Sequence, residues 1–286
     1  MVTLLEGRPI AARIREGLKE EVERIKSTHG LVPRLVAVQV GENLASAVYI
    51  KSQRKVSEAL GIEYELKGLD ERISEQGLID SIKRLNEDEK VSGIIIQLPL
   101  PKGLDFKNIV SFIDPEKDAE GMHPENLGRI LLGKPKLIPC TPQAVMELVK
   151  ETNVDLYGKE VICVGHSEIV GKPLALLFLD KFATTTVCHI GTGERGVLPD
   201  HVKRAEVLVV AVGKAGLIKG EWIRDGAIVI DVGINRVGDK IVGDVEFDEA
   251  SKRAGFITPV PGGVGPLTTA MLMRNVVEAF KLQRNR

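Results

Sequence analysis

Short runs of β-branched and aliphatic residues alternate along the chain with segments of helical periodicity, and this alternation constrains the fold more than any other feature. In the second half four such runs follow one another, over residues 159–165, 184–190, 205–213 and 226–233. Glycine or polar residues follow each run. Strands that alternate with helices form parallel sheets. The second half therefore predicts a doubly wound parallel sheet of the nucleotide-binding, Rossmann type.

The first half shows the same alternation. Helical periodicity over residues 10–25, 44–60 and 75–86 alternates with strand-like runs over 31–41, 62–69 and 91–101. Residues 102–142 are rich in Pro, Gly, Asp and Asn, so we predict an irregular binding loop and a domain junction there. The chain of 286 residues also exceeds the usual size of one domain.

Two α/β domains with a cleft between them are therefore predicted. We expect an N-terminal α/β substrate domain over residues 1–142, closed by a C-terminal helix over residues 267–286. A Rossmann-type dinucleotide-binding domain with a doubly wound parallel sheet is expected over residues 143–266.

Composition and charge exclude several classes of partner. Hydrophobic residues make up 43% of the chain and charged residues 28%, as in soluble globular proteins, and the net charge is -1. Such a chain has no global attraction for nucleic acid or an anionic membrane, which leaves small molecules and other subunits as partners. Cys140, Cys163 and Cys188 lack metal-ligand spacing, and no apolar run approaches the roughly 20 residues of a membrane span. We expect a cytoplasmic protein with reduced thiols and no metal.

The turn after the first run of the second half suits a phosphate group. Gly165 ends the run, Ser167 is placed to cap a helix, and Gly171 lies in the first turns of that helix. Backbone N–H groups at a helix start bind phosphates. Because the full G-x-G-x-x-G pattern is absent, cofactor binding and a purely structural turn are equally compatible with this pattern.

Loops after the next three runs favour cofactor binding, because ligands bind at the carboxyl ends of strands in open α/β sheets. A carboxylate at the end of the second strand favours NAD, whereas a nearby arginine favours the extra phosphate of NADP. His189 occupies that place and is either weakly cationic or simply a strand-end residue. Glu194 and Arg195 follow and favour different cofactors.

Six segments resemble the methylenetetrahydrofolate dehydrogenase/cyclohydrolase family in their order and spacing over nearly the whole chain. They are YIKSQRKVSEALGI from Tyr49, IIIQLPLP around Gln97, DPEKDAEGMHPENLG from Asp114, PCTP at Cys140, VGHSEIVGKP at Gly165 and PVPGGVGPLTTAML from Pro259. The resemblance implies oxidation of 5,10-methylenetetrahydrofolate by NADP or NAD, followed by hydrolysis of the methenyl product to 10-formyltetrahydrofolate. It also implies a homodimer formed through the second domain.

The resemblance implies the site residues as well. Its catalytic positions are Tyr49, Gln53, Gln97 and Glu120. Its folate-binding positions are Ser46, Tyr49, Gln97, Leu98, Pro99, Glu120, Pro261, Gly262 and Gly263. Its cofactor-binding positions are Thr141, Gly165, His166, Ser167, Ile169, Val170, His189, Ile190, Val212, Gly213, Gly233, Ile234 and Thr268. Without the resemblance, Tyr49 would be read as a core residue, and Gln97 would fit a cap for strand backbone and a functional residue equally well. The glycine loop would be a turn into the last helix, which is compatible with close approach to a ligand.

Four residues depart from the family pattern. Gln53 replaces a lysine and Glu120 an aspartate, while His166 replaces the arginine of a G-R-S motif and Ile190 a serine. The last two changes remove a permanent charge and a donor from the expected NADP phosphate site, which weakens the case for NADP without establishing NAD.

The replacement at position 53 bears on the second reaction. Glutamine cannot exchange a proton, and loss of an acid/base group costs about 100- to 10,000-fold. Hydride transfer moves no proton to the chain, so we predict a dehydrogenase whose cyclohydrolase activity is doubtful. One alternative is a bifunctional enzyme in which another residue compensates for Gln53. Another is a catalytically silent protein that binds folate or nucleotide.

Overall fold

The computed structural model describes residues 2–284. Outside the described part lie Met1, Asn285, Arg286 and the side chains of Leu44 and Ala45. The strands are β1 Thr3–Leu4, β2 Arg34–Val40, β3 Glu63–Leu69, β4 Gly93–Ile96, β5 Glu160–Val164, β6 Thr184–Cys188, β7 Val207–Val210, β8 Ile228–Asp231, β9 Asn235–Val237, β10 Lys240–Val242 and β11 Phe256–Ile257. The α-helices are α1 Gly7–His29, α2 Leu44–Leu60, α3 Glu75–Glu87, α4 Phe106–Val110, α5 Pro124–Leu131, α6 Cys140–Glu151, α7 Gly171–Leu179, α8 Ile190–Glu194, α9 Leu198–Arg204, α10 Phe247–Ala250 and α11 Gly265–Arg284, and Gly220–Trp222 form a 3-10 turn.

The chain divides into two compact units. The three-stranded unit consists of the described residues of Arg13–Cys140 and Thr269–Arg286, and the six-stranded unit of those of Met1–Ala12 and Thr141–Thr268. Each unit combines α-helices with a parallel sheet, which confirms the predicted two-domain α/β class. The predicted domain boundaries differ at the N-terminus, where the first residues group with the second half because β1 pairs with β11.

The three-stranded sheet has the order β3-β2-β4, with all strands parallel. The central strand β2 pairs on both sides, so that Leu35 lies opposite both Tyr64 and Gly93. The side chains of Val36, Val38 and Ile94 are fully buried in the core. Continuous apolar runs of this kind are typical of parallel strands that are covered on both faces.

Lys117 joins the end of α3 to the segment that leads to Glu120. Its ammonium group donates to the carbonyl oxygens of Leu85, Asn86 and Asp88, at 3.2, 2.7 and 2.8 Å. The last carbonyl groups of a helix have no partner within the helix. A buried lysine therefore satisfies them and fixes the segment beside the sheet.

The prediction of an irregular segment over residues 102–142 is wrong in part. The helices α4 and α5 lie within it, with five and eight residues, and α6 begins before its end. Asp105 caps α4 by accepting from the Lys107 N–H at 2.9 Å, and Pro124 occupies the first position of α5. Helices of one or two turns are too short to show a helical period among turn-forming residues.

The six-stranded sheet has the order β1-β11-β8-β7-β5-β6, and all its neighbours pair in parallel. The four predicted strands of the second half are β5 to β8. From β5 onward the order is 2-1-3-4-5, which is a doubly wound arrangement whose direction changes between β5 and β7. The sequence did not predict β1 and β11, which have two residues each, or the antiparallel hairpin of β9 and β10.

The last helix contributes polar contacts to the three-stranded unit. On α11, Asn275 Nδ2 donates to the carbonyl oxygens of Ala119 and Ile138, at 2.9 Å each. The Ser57 hydroxyl of α2 donates to Met273 Sδ at 3.1 Å. These bonds hold α11 against both α2 and the segment that ends at Glu120.

Two findings concern residues 2–284 only. No helix there combines the length and the apolar character needed to cross a membrane. No group of three His, Cys, Asp or Glu side chains there is placed to hold a metal ion.

Candidate active site

Three polar side chains of the three-stranded unit meet at one amide oxygen. Gln53 Oε1 accepts hydrogen bonds from the Tyr64 hydroxyl, at 3.1 Å, and from Gln97 Nε2, at 3.0 Å. Both glutamines are buried, with 8% and 6% of their surface exposed. Burial raises the pKa of Tyr64 to about 12, so its hydroxyl remains a donor at neutral pH. The structure thus brings together two of the predicted catalytic residues.

The helix α2 presents Tyr49 differently from Gln53, although the two lie one turn apart. The Tyr49 side chain is 60% exposed, so the alternative reading of Tyr49 as a core residue is wrong. Its ring is available to a ligand. Ser46 is buried instead, and its hydroxyl donates to the Asn43 carbonyl oxygen at 2.9 Å, which places it in the turn at the helix start.

Gln97 marks the carboxyl end of β4. Its N–H donates to the Val38 carbonyl oxygen at 2.8 Å, which extends the pairing with β2 by one bond. Leu98 and Pro99 follow with exposed side chains and a cis peptide bond between them. Ligands bind at the carboxyl ends of strands in open α/β sheets. These three residues therefore lie at the edge where a substrate is expected.

A second segment runs beside β4 and leads to Glu120. Asp118 forms an isolated parallel bridge with Ile94, and the Ala119 N–H donates to the Ile94 carbonyl oxygen at 3.2 Å. A parallel segment advances in the same direction as its neighbour. Glu120 therefore follows toward the end of β4 at which Gln97 lies.

The two carboxyl groups of this segment differ in their partners. Asp118 is fully buried and accepts hydrogen bonds from the N–H groups of Gly121 and His123 and from Asn126 Nδ2. Glu120 is half-buried, and its carboxyl group makes no hydrogen bond or ion pair within the described part of the chain. Burial, and then the neighbouring Asp118, raise the pKa of Glu120 to about 7. Glu120 is therefore a carboxyl group that can exchange a proton near neutral pH.

In the six-stranded unit two glycines shape the turn between β5 and α7. Gly165 has a φ of 126°, and a Cβ atom there would lie 2.4 Å from the Ala211 carbonyl oxygen. A Cβ atom on Gly171 would lie 2.0 Å from the Gly165 carbonyl oxygen. Ser167 Oγ accepts from the Val170 N–H at 3.1 Å, so it caps this turn and not the helix itself, which begins later than predicted.

The same turn carries backbone donors for a ligand. Among the described residues, no atom accepts a hydrogen bond from the N–H groups of His166, Ser167 and Ile169. They precede α7, which has nine residues and whose N-terminal end attracts anions. Close backbone packing and unpaired N–H groups fit the diphosphate of a dinucleotide.

An exposed aliphatic side chain follows each of the strands β5 to β8. These residues are Ile169, Ile190, Val212 and Ile234, in that order. Their side chains are between 45% and 74% exposed. Because the strands are parallel, their carboxyl ends share one edge of the sheet, and apolar side chains at such an edge suit the flat rings of a dinucleotide.

Two histidines face each other near that edge. The rings of His166 and His189 make an edge contact, with their centroids 5.4 Å apart. His189 Nδ1 accepts from the Gly191 N–H at 3.2 Å. The backbone N–H of His189 donates to Thr192 Oγ1, also at 3.2 Å. His189 is thus both the cap of α8 and a neighbour of the turn between β5 and α7.

A buried carboxylate that no sequence pattern singled out holds the loop after β7. Asp244 accepts from the N–H groups of Val212, Gly213 and Lys214, at 2.7, 2.9 and 2.8 Å, and from Asn235 Nδ2 at 2.8 Å. The N–H groups of Val212 and Gly213, both predicted cofactor residues, therefore bond within the protein. This loop can present carbonyl oxygens and side chains to a ligand, but not these donors.

Asp231 holds Asp244 in turn. Its carboxylate accepts from the N–H groups of Gly233, Asp244 and Val245, at 3.0, 3.0 and 2.9 Å. Burial raises the pKa of Asp231 to about 6 although these bonds lower it. A Cβ atom on Gly233 would lie 2.2 Å from Asp244 Cγ, so the structure gives this predicted cofactor residue a packing role.

The remaining predicted residues also lie in the six-stranded unit. Of the predicted folate-binding residues, this unit contains Pro261, Gly262 and Gly263. The Gly262 carbonyl oxygen accepts from the Gly7 N–H at 2.9 Å, which is close packing at the start of α1. Of the predicted cofactor residues, Thr141 is half-buried in α6, and the Thr268 hydroxyl donates within α11.

Two family models match the chain. The model described as tetrahydrofolate dehydrogenase/cyclohydrolase, catalytic domain, matches residues 5–120, and the NAD(P)-binding domain of the same family matches residues 139–284. The bifunctional protein FolD of Acetivibrio thermocellus is 50% identical over 281 residues, which cover 98% of this chain and 97% of that protein. The bifunctional protein FolD 2 of Myxococcus xanthus is 50% identical over 277 residues, which cover 96% of this chain and 95% of that protein.

Solved structures agree with these relatives. The bifunctional enzyme FolD, methylenetetrahydrofolate dehydrogenase/cyclohydrolase, from Campylobacter jejuni has a TM-score of 0.95 at 43% identity, and the match covers 99% of both chains. The Trypanosoma brucei enzyme, solved with NADP and an inhibitor, has a TM-score of 0.94 at 38% identity, with 100% of this chain and 99% of that chain covered. This chain therefore belongs to the tetrahydrofolate dehydrogenase/cyclohydrolase family.

Proposed function

We propose that this protein oxidises 5,10-methylenetetrahydrofolate to the methenyl compound, with NADP or NAD as the acceptor, and then hydrolyses that product to 10-formyltetrahydrofolate. The observation that carries the proposal is the buried hydrogen bond between Gln53 and Gln97, one helical turn from the exposed ring of Tyr49. An aromatic ring can stack on a flat pterin, and an amide at the end of β4 can orient it.

The first reaction needs orientation and charge stabilisation from the chain. Loss of a hydride leaves the folate carbon with a positive charge, which an amide oxygen or a carboxylate stabilises in a water-poor site. Gln97 and Glu120 are the groups that we assign to this role. When bound, the nicotinamide ring accepts the hydride.

For the cofactor we propose the turn over residues 165–170, with the exposed aliphatic side chains that follow β5 to β8. Unpaired N–H groups of the turn would hold the diphosphate. The Trypanosoma brucei relative was solved with NADP, but in this chain His166 and Ile190 replace the arginine and serine of the family pattern. Ile190 has no donor for a phosphate, so we expect use of both cofactors with weaker selection for NADP.

For the hydrolysis we propose Glu120 as the proton-exchanging group. Gln53 cannot take this role, whereas the carboxyl group of Glu120 has a pKa of about 7 and no partner in the described part of the chain. The names of the relatives favour this bifunctional reading over the predicted loss of hydrolysis. A dehydrogenase without hydrolysis is the second candidate, since two donors already occupy Gln53 Oε1.

A spectrophotometric assay tests both steps. Protein, 5,10-methylenetetrahydrofolate and either NAD or NADP are mixed, and reduced nicotinamide and the methenyl compound are followed together; a blank contains the methenyl compound without protein. We expect reduced nicotinamide to form while the methenyl compound disappears faster than in the blank. Accumulation of the methenyl compound in step with reduced nicotinamide would favour the dehydrogenase without hydrolysis.

Variants and binding measurements complete the test. Gln97→Ala should abolish oxidation, whereas Gln76→Ala, a change in a glutamine that bonds to Asp80 on the surface of α3, should not. If no reduced nicotinamide formed with either cofactor, the proposed oxidation would be contradicted. Folate binding without turnover would favour a catalytically silent binding protein. We also propose a homodimer through the six-stranded unit, to be tested by sedimentation.

A further inference from the structure

We propose that Tyr64 is a positioning residue for the oxidation, which acts through Gln53 to hold the Gln97 amide with its carbonyl oxygen toward the substrate. The inference rests on the proposed dehydrogenase function and assigns a role to a residue outside the six family-like segments. Tyr64 lies two residues beyond the segment that starts at Tyr49 and ends at Ile62.

The topology explains why Gln53 is needed as a link. Tyr64 lies at the start of β3, opposite Leu35, whereas Gln97 lies beyond the end of β4. The strand β2 separates β3 from β4. The side chain of Gln53 comes from α2 and meets both residues, at 3.1 Å from the Tyr64 hydroxyl and 3.0 Å from Gln97 Nε2.

The hydrogen bonds determine how both amides are turned. A carbonyl oxygen accepts two hydrogen bonds, and Tyr64 and Gln97 supply both to Gln53 Oε1. Because Gln97 donates with Nε2, its Oε1 points away from Gln53, and no described residue donates to it. Gln53 and Tyr64 therefore hold the Gln97 amide with Nε2 toward Gln53 and Oε1 turned away from it.

This orientation of the Gln97 amide suits the oxidation. The C–H bond of the methylene carbon breaks, the hydride leaves with both electrons to the nicotinamide, and the folate keeps the positive charge. An amide oxygen fixed beforehand stabilises such a charge. Burial raises the pKa of Tyr64 to about 12, so the hydroxyl donates throughout the range in which an enzyme works.

Tyr64→Phe removes only the hydroxyl. We expect kcat for the oxidation to fall about tenfold, the loss of one positioning hydrogen bond, with the KM for the nicotinamide cofactor unchanged. Tyr157→Phe is the matched control, because Tyr157 is 72% exposed in the six-stranded unit and should keep the wild-type kcat. Wild-type kinetics in Tyr64→Phe would overturn the inference.

A double-variant cycle separates positioning from a general structural effect. With Gln53→Ala in place, Tyr64→Phe should cause no further loss, because its route to Gln97 is already absent. Losses that multiply would show that Tyr64 acts independently of Gln53 and would overturn the inference.

Nuclear magnetic resonance of protein with 15N-labelled glutamine gives a readout without turnover. The side-chain amide signal of Gln97, assigned with Gln97→Glu, should shift in Tyr64→Phe and stay in place in Tyr157→Phe. A Gln97 signal unmoved by Tyr64→Phe would overturn the role of Tyr64. Because this measurement needs no reaction, it decides the role of Tyr64 separately from the proposed oxidation.

Discussion

At the scale of single residues, Glu120 is the group that we propose for the proton exchange in methenyl hydrolysis, because position 53 holds a glutamine. Glu120→Gln keeps the shape of the side chain but cannot exchange a proton, so we expect hydrolysis to slow about 100- to 10,000-fold. Oxidation should slow less, because that step moves no proton to the chain. Loss of methenyl absorbance without nicotinamide measures the hydrolysis, and its rate should change most with pH near the Glu120 pKa of about 7.

A matched change tests whether this effect is specific. Glu125 lies on α5 with an exposed side chain paired to Arg129, and Glu125→Gln should leave both rates unchanged. Hydrolysis at the wild-type rate in Glu120→Gln would mean that a different group exchanges the proton.

The choice of cofactor also depends on single residues. The double variant His166→Arg, Ile190→Ser restores a permanent charge and a hydroxyl donor, and each bond to a phosphate is worth about 1.5–3 kcal/mol. We expect the ratio of kcat/KM for NADP to that for NAD to rise at least about tenfold. Ile241→Ser, on the exposed face of β10, is the control and should leave the ratio unchanged. An unchanged ratio in the double variant would place the NADP phosphate elsewhere.

Only some of these residues were accessible from the sequence. Gln53 and Gln97 stand in segments whose letters resemble the family, so their importance was predicted. Tyr64 and Asp244 were missed, because their roles depend on partners 11 and about 30 residues away. The residues next to Tyr64 in its strand, or next to Asp244 after its hairpin, do not indicate which hydrogen bonds these side chains form.

At the scale of elements, the loop after β7 depends on the carboxylate of Asp244. An asparagine would turn its NH2 group toward N–H donors of the loop or toward Asn235, and buried bonds would be lost. For Asp244→Asn we expect the unfolding free energy to fall by about 2–4 kcal/mol, and the KM for the nicotinamide cofactor to rise. Urea titration and initial rates measure the two effects.

The hairpin of β9 and β10 supplies the control for that change. Asp239 is fully exposed at its tip, so Asp239→Asn should alter neither quantity. Equal stability and equal KM in Asp244→Asn would contradict a role for this carboxylate in holding the loop.

Elements with strong periodicity were predicted well. The helix α2 has the predicted bounds, and α3 ends one residue later than predicted. The short elements were missed for a physical reason, since β1 and β11 have two residues each and α4 has five. Their positions follow from pairing with distant residues or from caps, and not from a repeating pattern.

At the scale of the whole molecule, two carboxyl groups make stability depend on pH. The pKa is about 6 for Asp231 and about 7 for Glu120, against ordinary values of 3.8 and 4.5. The folded protein binds these protons more tightly than the unfolded chain. The stability that they contribute is complete below the ordinary values and is lost as the pH rises through 6 to 7. We expect the unfolding free energy to fall by about 3 kcal/mol for each group between its ordinary pKa and its folded pKa, that is, between about pH 4 and pH 7.

Urea titrations between pH 4 and pH 7.5 measure this fall. Glu120→Gln should remove the part of the fall that Glu120 contributes. Glu20 is exposed on α1, and Glu20→Gln should leave the fall unchanged. If the unfolding free energy of Glu120→Gln changed with pH as it does in the wild type, the raised pKa of Glu120 would be contradicted.

The pairing of β1 with β11 has a consequence for synthesis on the ribosome. Thr3 pairs with Phe256 and Leu4 with Ile257, so the earliest of these residues to emerge must wait for a partner made some 250 residues later. At about 5–20 residues per second the delay is about 10–50 s. Throughout that time β1 has no strand to pair with, and the backbone N–H of the buried Leu5 lacks its native partner, the Ile257 carbonyl oxygen. The nascent chain is therefore a candidate for chaperone binding at its N-terminal segment.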